Sequence, residues 1–331
     1  MKNKAIVGID VSKKILDCYL LDMQYHFQVG NTPRGFAELL EVCYMQLKVS
    51  FSLIHFYFEE TGRYSRQLAI FLDTENIDFT CLNALDVKRS MGLKRGKSDR
   101  KDACSIALYA QRKGSELKPT QLPGPRLDQL KQLLSLREKY IKHRTAFKNG
   151  MQDLSDGYSF GEFDFIRTQQ QEMVAKYNEM VLVVEDKILS IIRSEEYSSI
   201  NYDLLLSVKG IGKVLAIYFL VLTGNFTRFG DPRKFACYAG IAPFEFSSGT
   251  SVKGRTKVHP FANKQMKTLL NIASMAVIQQ KGEYKQYFER RTEMGKNKMS
   301  TLNIIRNKIV SRAFAVIKRQ TPFVDLDKFA A

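Results

Sequence analysis

From its N-terminus the chain alternates short apolar runs with polar breaks, and the spacing predicts strands first and helices later. Residues 5–10, AIVGID, form a short apolar run that closes on an acid. Residues 15–21 and 26–30 continue as two further strands. Over 36–47 the period lengthens, so that Phe36, Leu39, Leu40, Cys43 and Leu47 share one helical face. A β-rich run at 53–58 then ends at Glu59 and Glu60; a helix over 64–72, a strand over 77–82 and a helix over 99–112 follow. Strands in a meander, then strands alternating with helices, predict an α/β domain around a mixed sheet.

Pro119, Pro123 and Pro125 punctuate the end of that unit. Beyond them Leu127, Leu130, Leu134 and Ile141 recur at threes, fours and sevens. After a Gly- and Phe-rich break at 157–165, Met173, Tyr177, Met180, Val184, Ile188 and Ile191 do the same. Two such helices predict an antiparallel hairpin or coiled coil, either a dimerisation arm or an ordinary helical subdomain. The last third reads as mostly helical, except for a polar, Gly-containing stretch at 243–257. A chain of 331 residues exceeds what one small core holds. The expected parts are 1–122, an α/β domain; 123–198, a helical, coiled-coil linker; and 199–331, a mostly α domain.

Charge adds the first functional clue. Lys plus Arg number 51 against 34 Asp plus Glu, a net charge of +17, which points to a polyanionic partner such as nucleic acid. The basic residues are spread through the chain rather than gathered on one amphipathic helix, which argues against a membrane surface. Five cysteines, Cys18, Cys43, Cys81, Cys104 and Cys237, form no C-x-x-C pair and are odd in number. That argues against a zinc ribbon and a disulfide framework, and fits a reducing compartment. The longest apolar run, 214–222, is too short to span a bilayer, and MKNKAIVGID lacks a long apolar signal region. The expectation is a cytoplasmic protein without a membrane partner.

Four acids stand where chemistry can be built. Asp10 ends the first strand and Glu59 ends a later one; Asp99 and Asp102 lie in KSDRKDA, three residues apart and therefore on one helical face. If they converge, the cluster repels itself unless cations bind, and hard carboxylate oxygens select Mg²⁺ or Mn²⁺. Two such ions about 3.5–4 Å apart can stabilise the attacking and leaving oxygens of a phosphodiester. Each acid taken alone also reads as a common strand end or a solvated helix start. The order strand–Asp, strand–Glu, helix–Asp-x-x-Asp in a mixed sheet is that of a ribonuclease-H-like nuclease.

In the last third, LLSVKGIG precedes the apolar run and reads as a helix-hairpin-helix. Gly210 and Gly212, flanked by Lys209 and Lys213, let the backbone turn tightly and bring N–H groups to a phosphate; the alternative is a plain interhelical turn. Next come FACYAGIAP, then Ser247, Ser248 and Gly249, then Lys253, Arg255 and Lys257. A serine in a cationic loop is either a turn residue or a nucleophile held against a phosphate, and as a nucleophile it needs a base or a metal. His259 is near in sequence, but no Ser-His-Asp arrangement is visible.

The strings GIDVSKKILD, FEETGRY and KSDRKDA resemble the DEDD-type, RuvC-like domain of a group of insertion-sequence transposases that includes the Piv-type DNA invertases. The family's E-x-T-G-x-Y selects Glu59 over Glu60, and the resemblance implies that Asp10, Glu59, Asp99 and Asp102 are a Mg²⁺-binding catalytic tetrad. Residues 205–273, with A-G-I-A-P and S-S-G, resemble the second domain of the same transposases. There a serine is the proposed DNA nucleophile; Ser248 matches it, with Ser247 as the fallback. The following run departs from the family's K-x-G-N-x-x-L-R form. The resemblance further implies a structured non-coding bridge RNA as partner, alongside donor and target DNA. Strand exchange between two DNA sites requires a homo-oligomer. Three functions stay open at this point: a serine-dependent recombinase, a metal-dependent nuclease or junction resolvase using water, and a non-catalytic nucleic-acid-binding protein.

Overall fold

The alternation of the first thirty residues folds as three strands, β1 (Ala5–Val11), β2 (Ile15–Leu20) and β3 (Tyr25–Gly30), in an antiparallel meander. The computed structural model describes residues 4–90, 98–122, 124–157, 161, 163–248, 252–258 and 262–324; the side chains of 115, 154–157, 245–248 and 252–257 lie outside this description. The chain divides into two compact units, Met1–Leu122 and Pro123–Ala331.

In the first unit, helix α1 (Pro33–Leu47) leads to β4 (Ile54–Glu59), α2 (Arg63–Thr74), β5 (Phe79–Leu82), α3 (Ala84–Ser90) and α4 (Asp99–Lys113). The five strands lie in the order β3-β2-β1-β4-β5, with β4 parallel to both β1 and β5, so the sheet is mixed as the pattern predicts. The strand predicted over 77–82 starts two residues late, because Ile77 turns into the core before β5 pairs. One face of the sheet, carrying Val7, Ile9, Leu16, Cys18, Phe56 and Phe58, packs on Phe36 and Leu39 of α1 and Leu68 and Leu72 of α2. The opposite face takes α4, whose Ile106, Tyr109 and Ala110 meet Tyr57. Because strand side chains alternate, Gly8 and Asp10 point to the α4 side. Gly8 is what lets α4 approach: a Cβ there would stand 2.4 Å from the Ala103 carbonyl oxygen and 2.6 Å from the Ala107 nitrogen.

The second unit begins with the predicted long helices, α5 (Pro125–Gly157) and α6 (Asp164–Arg193). They run antiparallel: Arg137 pairs with Glu185 and Arg144 with Asn178, while Gly150 faces Gln170. Then follow α7 (Glu196–Ser207), α8 (Lys213–Thr223), α9 (Pro232–Tyr238), the strands β6 (Pro243–Ser248) and β7 (Val252–Val258), and α10 (Lys264–Gln279), α11 (Glu283–Glu293) and α12 (Lys298–Arg319). The polar stretch at 243–257 is thus an antiparallel β-hairpin within a mostly helical unit. The long helices share one core with the rest: Leu130, Leu134, Val184 and Ile188 cluster with Leu205, Phe219, Ile305 and Val316. Tyr218 of α8 donates to Glu138 of α5 at 2.6 Å, a further tie. Among the described residues, no helix is long and apolar enough to cross a membrane.

Candidate active site

The parallel register of β1 and β4 ends at Ile9 opposite Phe58. The next residue on each strand is an acid, so Asp10 and Glu59 stand side by side at the carboxyl ends of neighbouring parallel strands. Helix α4 brings two more. Ser98 caps it by accepting from the Lys101 amide, and Asp99 and Asp102 occupy its first turn, where the helix dipole favours negative charge. With α4 resting on Gly8, the carboxylates of Asp10, Asp99 and Asp102 each place an oxygen within 4.8 Å of the others. Glu59 does not belong to this tight trio, though its charge acts on Asp10.

The electrostatic consequence falls on Asp10, which is half-buried. Burial, followed by repulsion from Asp102, Asp99, Glu59 and Asp17, pushes its carboxyl up from 3.8 to about 6. Three converging hard oxygen donors, one of them held in an unfavourable charge state, are a donor set that suits a divalent cation such as Mg²⁺ or Mn²⁺. They offer nothing to a thiophilic metal.

The structure adds an acid that the sequence pattern alone did not single out. Asp17 lies directly opposite Asp10 in the β1–β2 ladder and is 3 % exposed. Its Oδ1 accepts from Gln28 Nε2 at 2.8 Å and lies 2.9 Å from His26 Nε2, both from β3. The available signal was periodicity: Asp17 sits between Leu16 and Cys18, on the strand face that also carries the Asp10 side of the sheet.

In the second unit, Lys209 and Gly210 form the turn between α7 and α8. Gly210 adopts φ +95°, and Gly212 caps α8 without a side chain, so the first amides of α8 meet no capping oxygen there. Lys213 is exposed, and Lys209 donates to the Lys281 carbonyl. The A-G-I-A-P segment launches the hairpin: Gly240 is left-handed at φ +67°, and Ile241 is fully buried. The Ile241 carbonyl accepts from Asn303 and Asn307 of α12, at 2.8 and 3.2 Å. Those two asparagines were also missed; a polar pair four residues apart on an apolar helix face was their signal. Along the hairpin Ser248 pairs with Val252, Ser247 with Lys253 and Phe244 with Lys257. The side chains of Ser247, Ser248, Lys253, Arg255 and Lys257 lie outside the described residues, as does His259.

Two family profiles divide most of the chain between them: a DEDD transposase profile of the insertion element IS110 covers residues 7–160, and that of the transposases of the IS116/IS110/IS902 family covers 202–289. The chain belongs to this family of transposases. The carboxylate site lies within the first matched region, and the A-G-I-A-P turn with its hairpin lies within the second. The transposase is also similar along almost its whole length to the pilin gene-inverting proteins of Moraxella lacunata and Moraxella bovis. Each is 24% identical over 330 residues, covering 97% of this chain and 98% of theirs. An uncharacterized 43.6 kDa protein of insertion element IS110 from Streptomyces coelicolor is 26% identical over 161 residues, 49% of this chain and 38% of that protein. The family makes the chain an enzyme of DNA transposition and site-specific recombination.

Proposed function

We propose that the transposase cuts and rejoins DNA with Asp10, Glu59, Asp99 and Asp102 as its cation-holding tetrad and Ser248 as its nucleophile. The observation that carries this is the convergence of Asp10, Asp99 and Asp102 beside Glu59, at the carboxyl ends of parallel strands in a sheet of order β3-β2-β1-β4-β5. That order and that placement support a RuvC-like catalytic domain over 1–122. The uncapped start of α8 behind Gly210 supports a helix-hairpin-helix phosphate contact by Lys209, Gly210, Gly212 and Lys213. Lys253, Arg255 and Lys257, on the strand paired with that of Ser248, supply further phosphate-neutralising charge.

When bound, Mg²⁺ or Mn²⁺ neutralises the charge that builds on the phosphate and on the oxygens entering and leaving it. The chain's own residues do the rest. The four carboxylates fix where the phosphate is held. The Ser248 hydroxyl loses its proton and bonds to phosphorus as the bond to one DNA oxygen breaks, leaving a phosphoserine link and a free DNA hydroxyl. Attack by a DNA hydroxyl on that link rejoins the strand and returns the serine. Ser248 belongs to the second unit and the tetrad to the first, so both must act on the same DNA.

Strand exchange joins two DNA sites, and we assign the α5–α6 hairpin, with Leu182 and Val183 exposed, to pairing between copies of the chain. The family resemblance and the net charge of +17 support a structured bridge RNA as second partner. Asp10→Asn should abolish strand cleavage while unfolding like the wild type, since an amide is a weak ligand. Ser248→Ala should lose covalent attachment to suicide DNA substrates yet keep DNA binding. Normal joining by Ser248→Ala would move the role to Ser247 or to water. Absence of an enriched element-encoded RNA on native purification would refute the RNA partner, and a monomer on paired DNA sites would refute the assembly.

A further inference from the structure

Away from the carboxylates, helices α11 and α12 build a cationic surface that the mechanism does not use. Ile304, Asn307, Lys308, Ser311 and Arg312, at positions i, i+3, i+4, i+7 and i+8 of α12, share one helical face and line a recess of about 360 Å³. Beside it Tyr287 of α11 gathers three cations around a single ring. Lys308 Nζ lies 4.4 Å from the ring centroid, and the guanidinium carbons of Arg290 and Arg291 lie at 5.8 and 6.0 Å.

One cation over a ring is attracted to the ring's negative face. Three like charges gathered around the same ring repel one another, the more so where the surroundings are partly dry. Among the described residues none of the three forms an ion pair. The paired carboxylates of α11 are engaged by other residues, Glu283 by Arg312 and Glu289 by Lys285. The trio is therefore a positive focus whose repulsion an anion would offset.

We propose that this α11–α12 face seats the phosphodiester backbone of duplex DNA. Arg290, Arg291 and Lys308 neutralise consecutive phosphates, and the exposed Ser311 hydroxyl donates from the recess. The commitment to a duplex backbone follows from Tyr287. Its ring is already covered by cations, so it offers no open platform for stacking an unpaired base, which recognition of single strands relies on. Contacts of this kind set register and orientation without reading sequence. Helix α12 also ties this face to the serine hairpin, because its Asn303 and Asn307 hold the Ile241 carbonyl from which that hairpin starts. The inference rests on the reading of the chain as a recombinase acting on DNA.

The test compares full-length wild type with Arg290→Gln/Arg291→Gln/Lys308→Gln and with a control of equal charge change, Lys48→Gln/Lys88→Gln/Lys118→Gln, three exposed lysines elsewhere. The probes are one DNA duplex and one RNA duplex of the same sequence, titrated at several salt concentrations. The α11–α12 variant should bind the DNA duplex roughly tenfold or more weakly at physiological salt. Its slope of log K against log salt should be shallower by about 2–3, close to one for each phosphate that the variant no longer neutralises. The control should keep a near-wild-type slope. Arg290→Lys/Arg291→Lys, which preserves charge, should restore most of the slope and guards against a folding defect. Equal losses in both triple variants, an unchanged slope, or a loss confined to the RNA duplex would each overturn the proposal. Failure of wild type to bind or cut DNA at all would instead sink the recombinase reading.

Discussion

Replacing Gly8 by alanine should damage the carboxylate site without touching an acid. The added Cβ would lie 2.4 Å from the Ala103 oxygen, 2.6 Å from the Ala107 nitrogen and 2.8 Å from the Ala107 Cβ. Favourable contacts between nonbonded carbons begin near 3.5 Å, so α4 or β1 must shift by roughly 1 Å. Two of the three obstacles are backbone atoms of α4 and have no rotamer to escape into. Such overpacking costs about 1–3 kcal/mol, which in a unit of this size lowers the unfolding midpoint by roughly 3–10 °C. The effect on the site should be larger than that on stability, because α4 carries Asp99 and Asp102, and a misplacement of about 1 Å in a reacting constellation can cost roughly 10² in rate. Thermal unfolding, Mn²⁺ binding followed by electron paramagnetic resonance, and strand cleavage would be measured together. Gly8→Ala should stay folded, bind Mn²⁺ more weakly and cleave poorly. Adding Ala107→Gly should not rescue it, since the Ala103 oxygen and the residue-107 nitrogen remain. A Gly8→Ala protein with wild-type stability and wild-type Mn²⁺ affinity would refute the account of how the trio is assembled.

Three further outcomes follow from the same geometry. Burial, aided by Lys4 and opposed by Asp78, lowers the His55 imidazole from 6.5 to about 4, and Thr80 Oγ1 lies 2.8 Å from its Nε2. The folded protein therefore binds fewer protons than the unfolded chain between those values: the stability this provides is full above pH 6.5 and is lost as pH falls toward 4, by about 3 kcal/mol. His55→Gln should flatten that loss in urea titrations across pH 4–7, and an unchanged slope would contradict it. Asp17→Ala takes the acceptor from Gln28 and His26 and should cost about 2–4 kcal/mol, with Asp17→Asn markedly milder; equal effects of the two would show that the acceptor is not what matters. Gly210→Ala combines φ +95° with a Cβ only 2.6 Å from Val277 Cγ1, so a loss of about 2–4 kcal/mol is expected, and a thermally neutral variant would argue against the tight α7–α8 turn.

The sequence by itself carried whatever depends on neighbours along the chain. Short apolar and β-rich runs located β1 to β4, threefold and fourfold spacing located α1, α5 and α6, and the acids at the ends of runs were visible because a strand end is a local event. The Asp99 and Asp102 pair was legible for the same reason, as was the expectation that the glycines at 210 and 212 mark a turn. Only the tertiary structure decided which strands are neighbours, and hence that Asp10 lies beside Glu59 on one side and opposite Asp17 on the other. It alone revealed that Gly8 is the contact on which α4 rests, a fact about an approach of backbone to backbone that no side-chain pattern records. The pairing of 243–258 into a hairpin and the hold of Asn303 and Asn307 on Ile241 are of the same kind. So are the three cations around Tyr287, two from α11 and one from α12. Periodicity is set by each residue's own backbone, whereas desolvation, repulsion and register depend on residues brought together from distant parts of the chain.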